Sequence, residues 1–290
     1  MALGKTIAKP AAIGDDYSAL FHQVEFWGMP LKSDTVEAAA RTLRLLEELN
    51  RHRVASIETL HKATGLPKST IVRLMKSLCA MGYAANDRRQ GGYAVASRVK
   101  SLSYGFHGDP LVVEAARPWA LAFSEQYQWP IAIAVLDTTS VVIRFSTIPD
   151  SPVSPFHGTI NMRLGLLRRA LGRAYLAFCP PAERSMLLDM LARSSAEPED
   201  RLAVDRRRAL ALLAAIRKQG FAERDPMVEP RSSGTVAVPI ITNGRVLATA
   251  GMTYFVSALD HSEIVRRYVP LMKALADNIA VSVASLRQPE

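Results

Sequence analysis

Residues 56–78 read SIETLHKATGLPKSTIVRLMKSL, and this stretch decides the fold of the N-terminal part of the chain. Ser56 is a favoured helix N-cap, and Leu60 follows at helical spacing. Gly65 suits the left-handed conformation that ends a helix, and Pro67 is favoured at the start of the next one. The stretch therefore predicts two helices joined by a short turn.

The second of these helices has one apolar and one polar face. Ile71, Leu74, Met75 and Leu78 recur at the spacing of a single buried helical stripe. The opposite face carries hydroxyl and basic groups, which suit the base edges and phosphates of the DNA major groove. The predicted DNA-binding residues of this helix are Lys68, Ser69, Thr70, Arg73 and Lys76.

Another amphipathic helix is predicted from Ser33 onwards. Asp34 and Glu37 have the spacing of a capping arrangement. The apolar residues that we expect to face inward are Val36, Ala39, Ala40, Leu43 and Leu46. Together with the two helices above, this gives a three-helix order.

A hairpin is predicted directly after the third helix. Residues 83–86 and 93–95 have the character of short strands, and the turn between them is basic and rich in glycine. We interpret it as a wing, in which Arg88 and Arg89 contact phosphates or the minor groove. The alternative is an ordinary hairpin turn that its charges make soluble.

Positive charge is concentrated in this part of the chain. Residues 33–100 contain twelve basic and six acidic side chains, whereas the 290-residue chain carries a formal net charge of +9. A basic balance favours a polyanionic partner or an anionic ligand. Arg73 and Lys76 alone could belong to a solvated helix surface, but the helix order, the short turn and the basic hairpin together favour binding to double-stranded DNA.

The rest of the chain predicts an α+β domain. Helices are predicted near 111–128, 170–177 and 262–286, with two more across 182–220. Strands are predicted near 131–136, 141–146, 235–242 and 246–253, which favours a mainly antiparallel sheet. The predicted division is a flexible tail over 1–32, a winged helix-turn-helix over 33–96, a linker helix over 97–109 and a second domain over 110–290.

Several classes of protein are disfavoured by what the sequence contains. Cys79 and Cys179 lie in no metal-ligand spacing, and the six histidines form no HxxxH pattern, so we expect no metal and no cofactor. The chain shows no export signal and no long apolar run, so we expect a cytoplasmic protein. Common catalytic motifs are not found, so we expect no enzyme. Two alternatives remain: a DNA-binding protein with a catalytic C-terminal domain, and an architectural DNA-binding protein without an effector.

The chain resembles the IclR-type transcriptional regulators across about residues 34–288. The segments that carry the resemblance are TLRLL at 42–46, IETLHKATGLPKST at 57–70, RLMKSL at 73–78 with GY at 82–83, GRAYLA at 172–177, GFA at 220–222 and VAVPI at 236–240. The layout is most similar to regulators of aromatic-acid catabolism such as hydroxyphenylpropionate degradation. The resemblance implies a GAF-like effector-binding domain, a homodimer or homotetramer, and a palindromic operator.

Residues 161–172 are expected to supply much of the effector site. An organic acid needs apolar walls and a few convergent polar groups, which an arginine or the amides at a helix start can provide. Arg163 or Arg169 could anchor the acid; the alternative is that the leucines are core and the arginines surface. The predicted effector-binding residues are Met162, Leu164, Leu166, Arg169, Ala170, Ala237 and Thr253. Three departures from the family pattern, at 165–167, at Arg169 and at 230–233, fall in the same region.

Overall fold

The computed structural model describes residues 36–87, 89–103, 105, 110–148, 151, 153, 159–193 and 202–286. The predicted tail over 1–32, Arg88 and part of the predicted linker over 97–109 lie outside the described residues.

Three helices and a hairpin form the N-terminal region. The helices are α1 (Glu37–Leu49), α2 (Ile57–Thr64) and α3 (Lys68–Ala80), and the hairpin strands are β1 (Ala84–Asp87) and β2 (Gly92–Val95). Leu45, Leu49, Leu60, Ile71 and Met75 are fully buried and form the centre of one small core. The predicted order of three helices followed by a wing is confirmed.

The turn between α2 and α3 forms as the sequence predicts. The Ser56 hydroxyl accepts a hydrogen bond from the Thr59 amide at 3.0 Å and so caps α2. Gly65 ends this helix with φ +68°, and its amide donates to the His61 carbonyl. Pro67 stands directly before α3 as its N-cap, one position earlier than a first-turn proline.

The predicted buried face of α1 is correct at Leu46 and wrong at Val36, Ala39 and Leu43. Val36 and Leu43 are 70% and 59% exposed, whereas Leu45, Leu46 and Leu49 are buried. The N-cap is Val36 and has no side-chain cap hydrogen bond, and Asp34 lies outside the described residues. Apolar residues surround much of this short helix, and packing against α2 and α3 selects the face.

The hairpin is antiparallel, with Asp87 opposite Gly92. One Asp87 carboxylate oxygen accepts from the amides of Arg89 and Gln90 at 2.9 and 3.1 Å, which fixes the turn. Backbone hydrogen bonds in both directions between Ala55 and Tyr93 tie the hairpin to the segment before α2. A 3₁₀-helix over Ser97–Ser103 follows.

A six-stranded antiparallel sheet forms the centre of the C-terminal domain, with strand order β5-β4-β3-β8-β7-β6. Its strands are β3 (Ile131–Asp137), β4 (Ser140–Ser146), β5 (Arg163–Gly165), β6 (Ala222–Glu223), β7 (Ser233–Thr242) and β8 (Arg245–Phe255). The predicted α+β architecture with an antiparallel sheet is confirmed. The two edge strands β5 and β6 are not predicted, because three and two residues are too short to show alternation.

Helices cover both faces of this sheet. They are α4 (Leu111–Tyr127), α5 (Ala170–Phe178), α6 (Pro181–Arg193), α7 (Arg206–Gln219), α8 (His261–Glu263) and α9 (Val269–Leu286), with a π-helical turn at Ile264–Tyr268. One buried cluster joins α4 and α9 to the sheet, and a second joins α5, α6 and α7 to it.

The last helical segment, His261–Leu286, has the length and composition of a membrane-spanning helix, and it is the one such helix among the described residues. Met272, Ile279 and Val283 are nevertheless fully buried in the cluster with α4 and the sheet. This packing accounts for its apolar character as that of a core helix.

Candidate functional site

Helix α3 has two exposed basic side chains that form no ion pair in the described structure. Arg73 and Lys76 are exposed, and within the described part of the chain neither has an ion-pair partner. Ser69 is exposed beside them and Thr70 is half-buried. Such a face can meet a polyanion without first breaking internal contacts.

Lys68 differs from these two residues because it is paired. Its ammonium group forms an ion pair with Glu58 on α2, and Lys62 reaches the same carboxylate at 3.9 Å. The hydrogen bond and charge of Lys68 lower the pKa of Glu58. A phosphate contact by Lys68 would have to compete with this carboxylate.

Several other basic side chains of the region form ion pairs or hydrogen bonds within the N-terminal domain. Arg51 pairs with Glu48 at 2.8 Å, and Arg41 pairs with Glu37. Arg98 donates to the Met81 carbonyl at 2.8 Å and lies over the Tyr83 ring, which joins the end of α3 to the hairpin. Arg89 is exposed in the wing turn. Arg73, Lys76 and Arg89 are the basic members of the predicted DNA-binding set that are exposed and have no ion pair in the described structure.

A cavity lies where the N-terminus of α5 meets the sheet. Five of the seven predicted effector-binding residues line it: Met162, Leu164, Arg169, Ala170 and Thr253. Further apolar lining comes from Ile131, Ile143 and Leu171. The cavity thus combines apolar walls with the start of a helix, where unpaired amides and the helix dipole favour an anion.

Leu166 and Ala237 lie outside this lining. Both are fully buried in the cluster that joins α5 to the sheet. The Leu166 backbone approaches Gly172 so closely that a Cβ there would collide with Leu166 and with the Gly165 carbonyl. This close approach directs Leu166 into the core.

Arg163, the other arginine considered as an anchor, and Arg144 on β4 also lie outside the lining. Arg163 donates to the Asp137 carboxylate at 2.5 Å and lowers its pKa. Arg144 donates to the Asn161 side chain at 3.1 Å. Neither lines the cavity.

The polar lining includes residues that the sequence did not single out. Thr159 donates to the Ser146 hydroxyl at 3.1 Å, and both residues are buried. The hydroxyls of Thr235 and Thr253 are 3.2 Å apart on neighbouring strands. Arg224 is the second guanidinium of the cavity. The one signal for it was its place two residues after the segment GFA at 220–222.

A buried arginine holds the two loops that carry Arg169 and Arg224. The Arg173 guanidinium donates to the carbonyls of Leu167 at 2.6 Å and Glu223 at 3.0 Å, and to the Asp225 carboxylate at 3.2 Å. Burial lowers the pKa of Arg173, and the nearby Asp225 charge acts against that shift. Arg173 therefore fixes the loops on both sides of the cavity, a role that the sequence did not suggest.

No group of three or more potential metal ligands occurs among the residues that the structure describes. His157 lies outside those residues, and His261 is exposed at the start of α8, 3.2 Å from Glu223.

Residues 38–88 match the model of the IclR helix-turn-helix domain. The match covers α2, α3 and the first strand of the wing, and most of α1. The basic helix described above is therefore the second helix of a recognised DNA-binding motif.

Two curated relatives span most of the chain. The chain is 23% identical over 251 residues to the Pca regulon regulatory protein of Pseudomonas putida, covering 85% of this chain and 84% of the relative. It is 24% identical over 231 residues to the HTH-type transcriptional regulator XynR of Escherichia coli, covering 79% and 90%. Both relatives are named as regulators.

Solved structures show the same fold. The IclR of Thermotoga maritima has a TM-score of 0.57 at 17% identity, covering 86% of this chain and 99% of that one. An IclR homologue of Microbacterium hydrocarbonoxydans, solved with 4-hydroxybenzoate, has a TM-score of 0.52 at 19% identity with the same coverage. Residues 38–88 are thus an IclR-type helix-turn-helix domain, and the chain has the fold of the IclR-type regulators.

Proposed function

We propose that this protein is a transcriptional regulator that binds an operator through α3 and the wing, and that a small organic acid in the cavity changes this binding. The observation that carries the proposal is that one chain combines the exposed side chains of Arg73 and Lys76 on α3 with a C-terminal cavity that two arginines and apolar residues line. A DNA reader and a ligand sensor are the two parts that such a regulator needs.

The DNA-binding part of the proposal rests on α3. Its first residues enter the major groove in a helix-turn-helix protein, so Ser69, Thr70, Arg73 and Lys76 would contact base edges and phosphates. Lys68 would contact phosphate after leaving Glu58, and Arg88 and Arg89 of the wing would add phosphate or minor-groove contacts.

The ligand-binding part rests on the chemistry of the cavity. Two arginines and a helix start favour a carboxylate, and the apolar lining favours a hydrocarbon body. The related fold with bound 4-hydroxybenzoate supports an aromatic acid as the effector class. Met162, Leu164, Arg169, Ala170 and Thr253 would contact it.

The assembly is part of the same proposal. A homodimer or homotetramer in the cytoplasm would match a palindromic operator, because twofold proteins bind two related half-sites. The domain limits of the proposal are 33–96 for DNA binding, 97–109 for the linker and 110–290 for the effector. The linker would carry the response by changing the separation of the two α3 helices.

The test is fluorescence anisotropy with the purified chain and DNA from upstream of its own gene and of the neighbouring genes. Salt and a panel of aromatic acids are titrated, and a random duplex of equal length is the control. We expect tight, salt-sensitive and sequence-selective binding that at least one acid shifts.

Each other outcome has a defined meaning. Selective DNA binding that no acid alters would contradict the effector part and favour an architectural role. If the protein binds the upstream DNA no more tightly than the random duplex, the proposal that it is a transcriptional regulator is contradicted. That result would favour a different role for the C-terminal domain.

A further inference from the structure

Arg224 is a half-buried cation that lines the cavity. The acids nearest to it pair with other cations: Glu223 with His261, Asp225 with Arg173, and Glu229 with Arg231 at 3.0 Å. Within the described part of the chain, no carboxylate lies within ion-pair distance of Arg224, and Glu229 is the acid that shares the cavity with it. A partly buried cation without a direct ion pair gains from an anionic ligand beside it.

The protein nevertheless holds this guanidinium firmly at the cavity wall. One of its terminal nitrogens, Nη2, donates to the Pro230 carbonyl at 2.7 Å, to the Ser233 carbonyl, and to the Ser233 hydroxyl at 3.2 Å. The Arg224 amide donates to the Thr235 carbonyl at 3.0 Å. Neutral carbonyls and a hydroxyl orient the guanidinium without neutralising it.

The backbone on either side of Arg224 is also fixed. Arg173 binds the carbonyl of the residue before it and the carboxylate of the residue after it. A group held in this way loses little entropy when a ligand binds, which favours specific recognition.

The electrostatic surroundings of Arg224 also favour an anionic ligand. Burial first, and then the positive charge of Arg169, lower the pKa of Arg224 to about 10, and Tyr254 and Glu229 act against this shift. The group remains charged at neutral pH, but its charged form is penalised. A carboxylate beside it would relieve that penalty.

We infer that Arg224 binds the acid group of the effector and is the residue that makes the cavity select an acid over its uncharged analogue. The inference rests on the proposed function, because it concerns the same cavity. It assigns the role of anchor to a residue on the β6 side of the sheet, whereas the sequence pointed to Arg169.

The lining also indicates how the ligand is oriented. Arg224 follows β6 at one side of the cavity, and the hydroxyl pair of Ser146 and Thr159 lies at the β4 side. An aromatic acid with its acid group at Arg224 would therefore direct a hydroxyl substituent toward this pair.

The test is isothermal titration of the full-length protein with benzoate, 4-hydroxybenzoate and adipate, each compared with its uncharged amide. We expect the tightest acid to bind about 10- to 100-fold more strongly than its amide, the range of a charge-assisted hydrogen-bonded pair. Arg224→Gln should remove this preference and change the affinity for the amide by less than about threefold.

Arg206→Gln is the matched control, since it removes a cation that pairs with Asp189 and lies outside the cavity lining. It should leave the preference intact. Thermal unfolding and DNA binding of each ligand-free variant show that the fold persists, and the acid-to-amide ratio of the wild-type protein tests the inference even if Arg224→Gln does not fold.

The outcomes separate this inference from the proposed function. Full acid preference in a folded Arg224→Gln protein, or equal wild-type affinity for acid and amide, would overturn the role of Arg224 while leaving the regulator in place. Wild-type protein that binds none of the acids or amides would overturn the organic-acid effector and this inference together.

Discussion

The α3 face and the cavity both use arginine to meet an anion, but in opposite surroundings. Arg73 is exposed, lies on one regular helix and has no ion pair in the described structure, whereas Arg224 is half-buried and its Nη2 group is oriented by two carbonyls and a hydroxyl. Salt screens an exposed cation, so each phosphate contact contributes little and affinity depends on the number of contacts. A partly buried cation gains more from one well-placed partner, which suits selection among small ligands.

The comparison predicts its largest effect at Arg173, the buried arginine that holds the cavity loops. Arg173→Ala removes the guanidinium that donates to the carbonyls of Leu167 and Glu223 and to the Asp225 carboxylate, which keeps Arg168 at 3.5 Å. Hydrogen bonds to a charged group contribute about 1.5–3 kcal/mol each, so denaturant unfolding should show a drop of at least about 2 kcal/mol. Arg206→Ala, which breaks an exposed pair with Asp189, is the control and should cost less than about 1 kcal/mol. Similar costs for the two variants would show that the buried network has no special role.

A second prediction concerns α3. Arg73→Ala should weaken binding to the operator by about 1–3 kcal/mol and reduce discrimination against random DNA, because a base-reading side chain is lost. Anisotropy titrations with both duplexes measure this effect, and Lys218→Ala on α7 is the basic control outside the DNA-binding region. Unchanged discrimination in Arg73→Ala would remove Arg73 from the role of reader.

The ends of α3 and its exposed face could be predicted from the sequence, because residues within and next to the helix determine them. Ser56, Gly65 and Pro67 mark helix ends by their own conformational preferences, and the stripe through Ile71 and Met75 fixes which face is exposed. The buried face of α1 could not be predicted in this way. Its apolar residues allow several faces, and contacts with distant residues decide among them.

The cavity could be predicted only in part for the same reason. Met162, Leu164, Arg169 and Ala170 belong to one segment, so a single stretch of sequence pointed to them. Arg224, Ser146 and Thr235 come from other strands, and only the sheet order brings them together. Leu166 has the same apolar character as Leu164, but the close contact at Gly172 directs it into the core.

A third and smaller effect is expected at the pair between α2 and α3. Glu58→Gln removes the carboxylate that holds Lys68 and a negative charge near the DNA-binding face. We expect DNA affinity to rise a few-fold at low salt, with the gain declining as salt is added. Anisotropy titrations at several salt concentrations measure it, with Glu183→Gln on α6 as the control. A loss of affinity would indicate that Glu58 positions Lys68 for a DNA contact and does not compete with DNA for it.

The smallest effect concerns the pH dependence of stability. Arg163 lowers the pKa of Asp137, so the folded state gains stability above the ordinary aspartate pKa and loses it as the pH falls through the lowered value. Asp137→Asn should remove this contribution, which is below about 1 kcal/mol for a half-exposed pair. Urea unfolding at pH 6 and pH 3 measures it. A larger loss in the variant at pH 3 than at pH 6 would contradict the assignment.

The central claim is that operator binding and acid binding to this protein are coupled, so that each changes the affinity for the other. The most direct test measures the affinity of the tightest acid for the free protein and for the protein saturated with its operator, by isothermal titration. The account predicts two different affinities, whose ratio equals the factor by which the acid changes operator affinity, because coupling between binding sites is reciprocal. Equal affinities would contradict the account, since a ligand that binds both states equally cannot shift the balance between them.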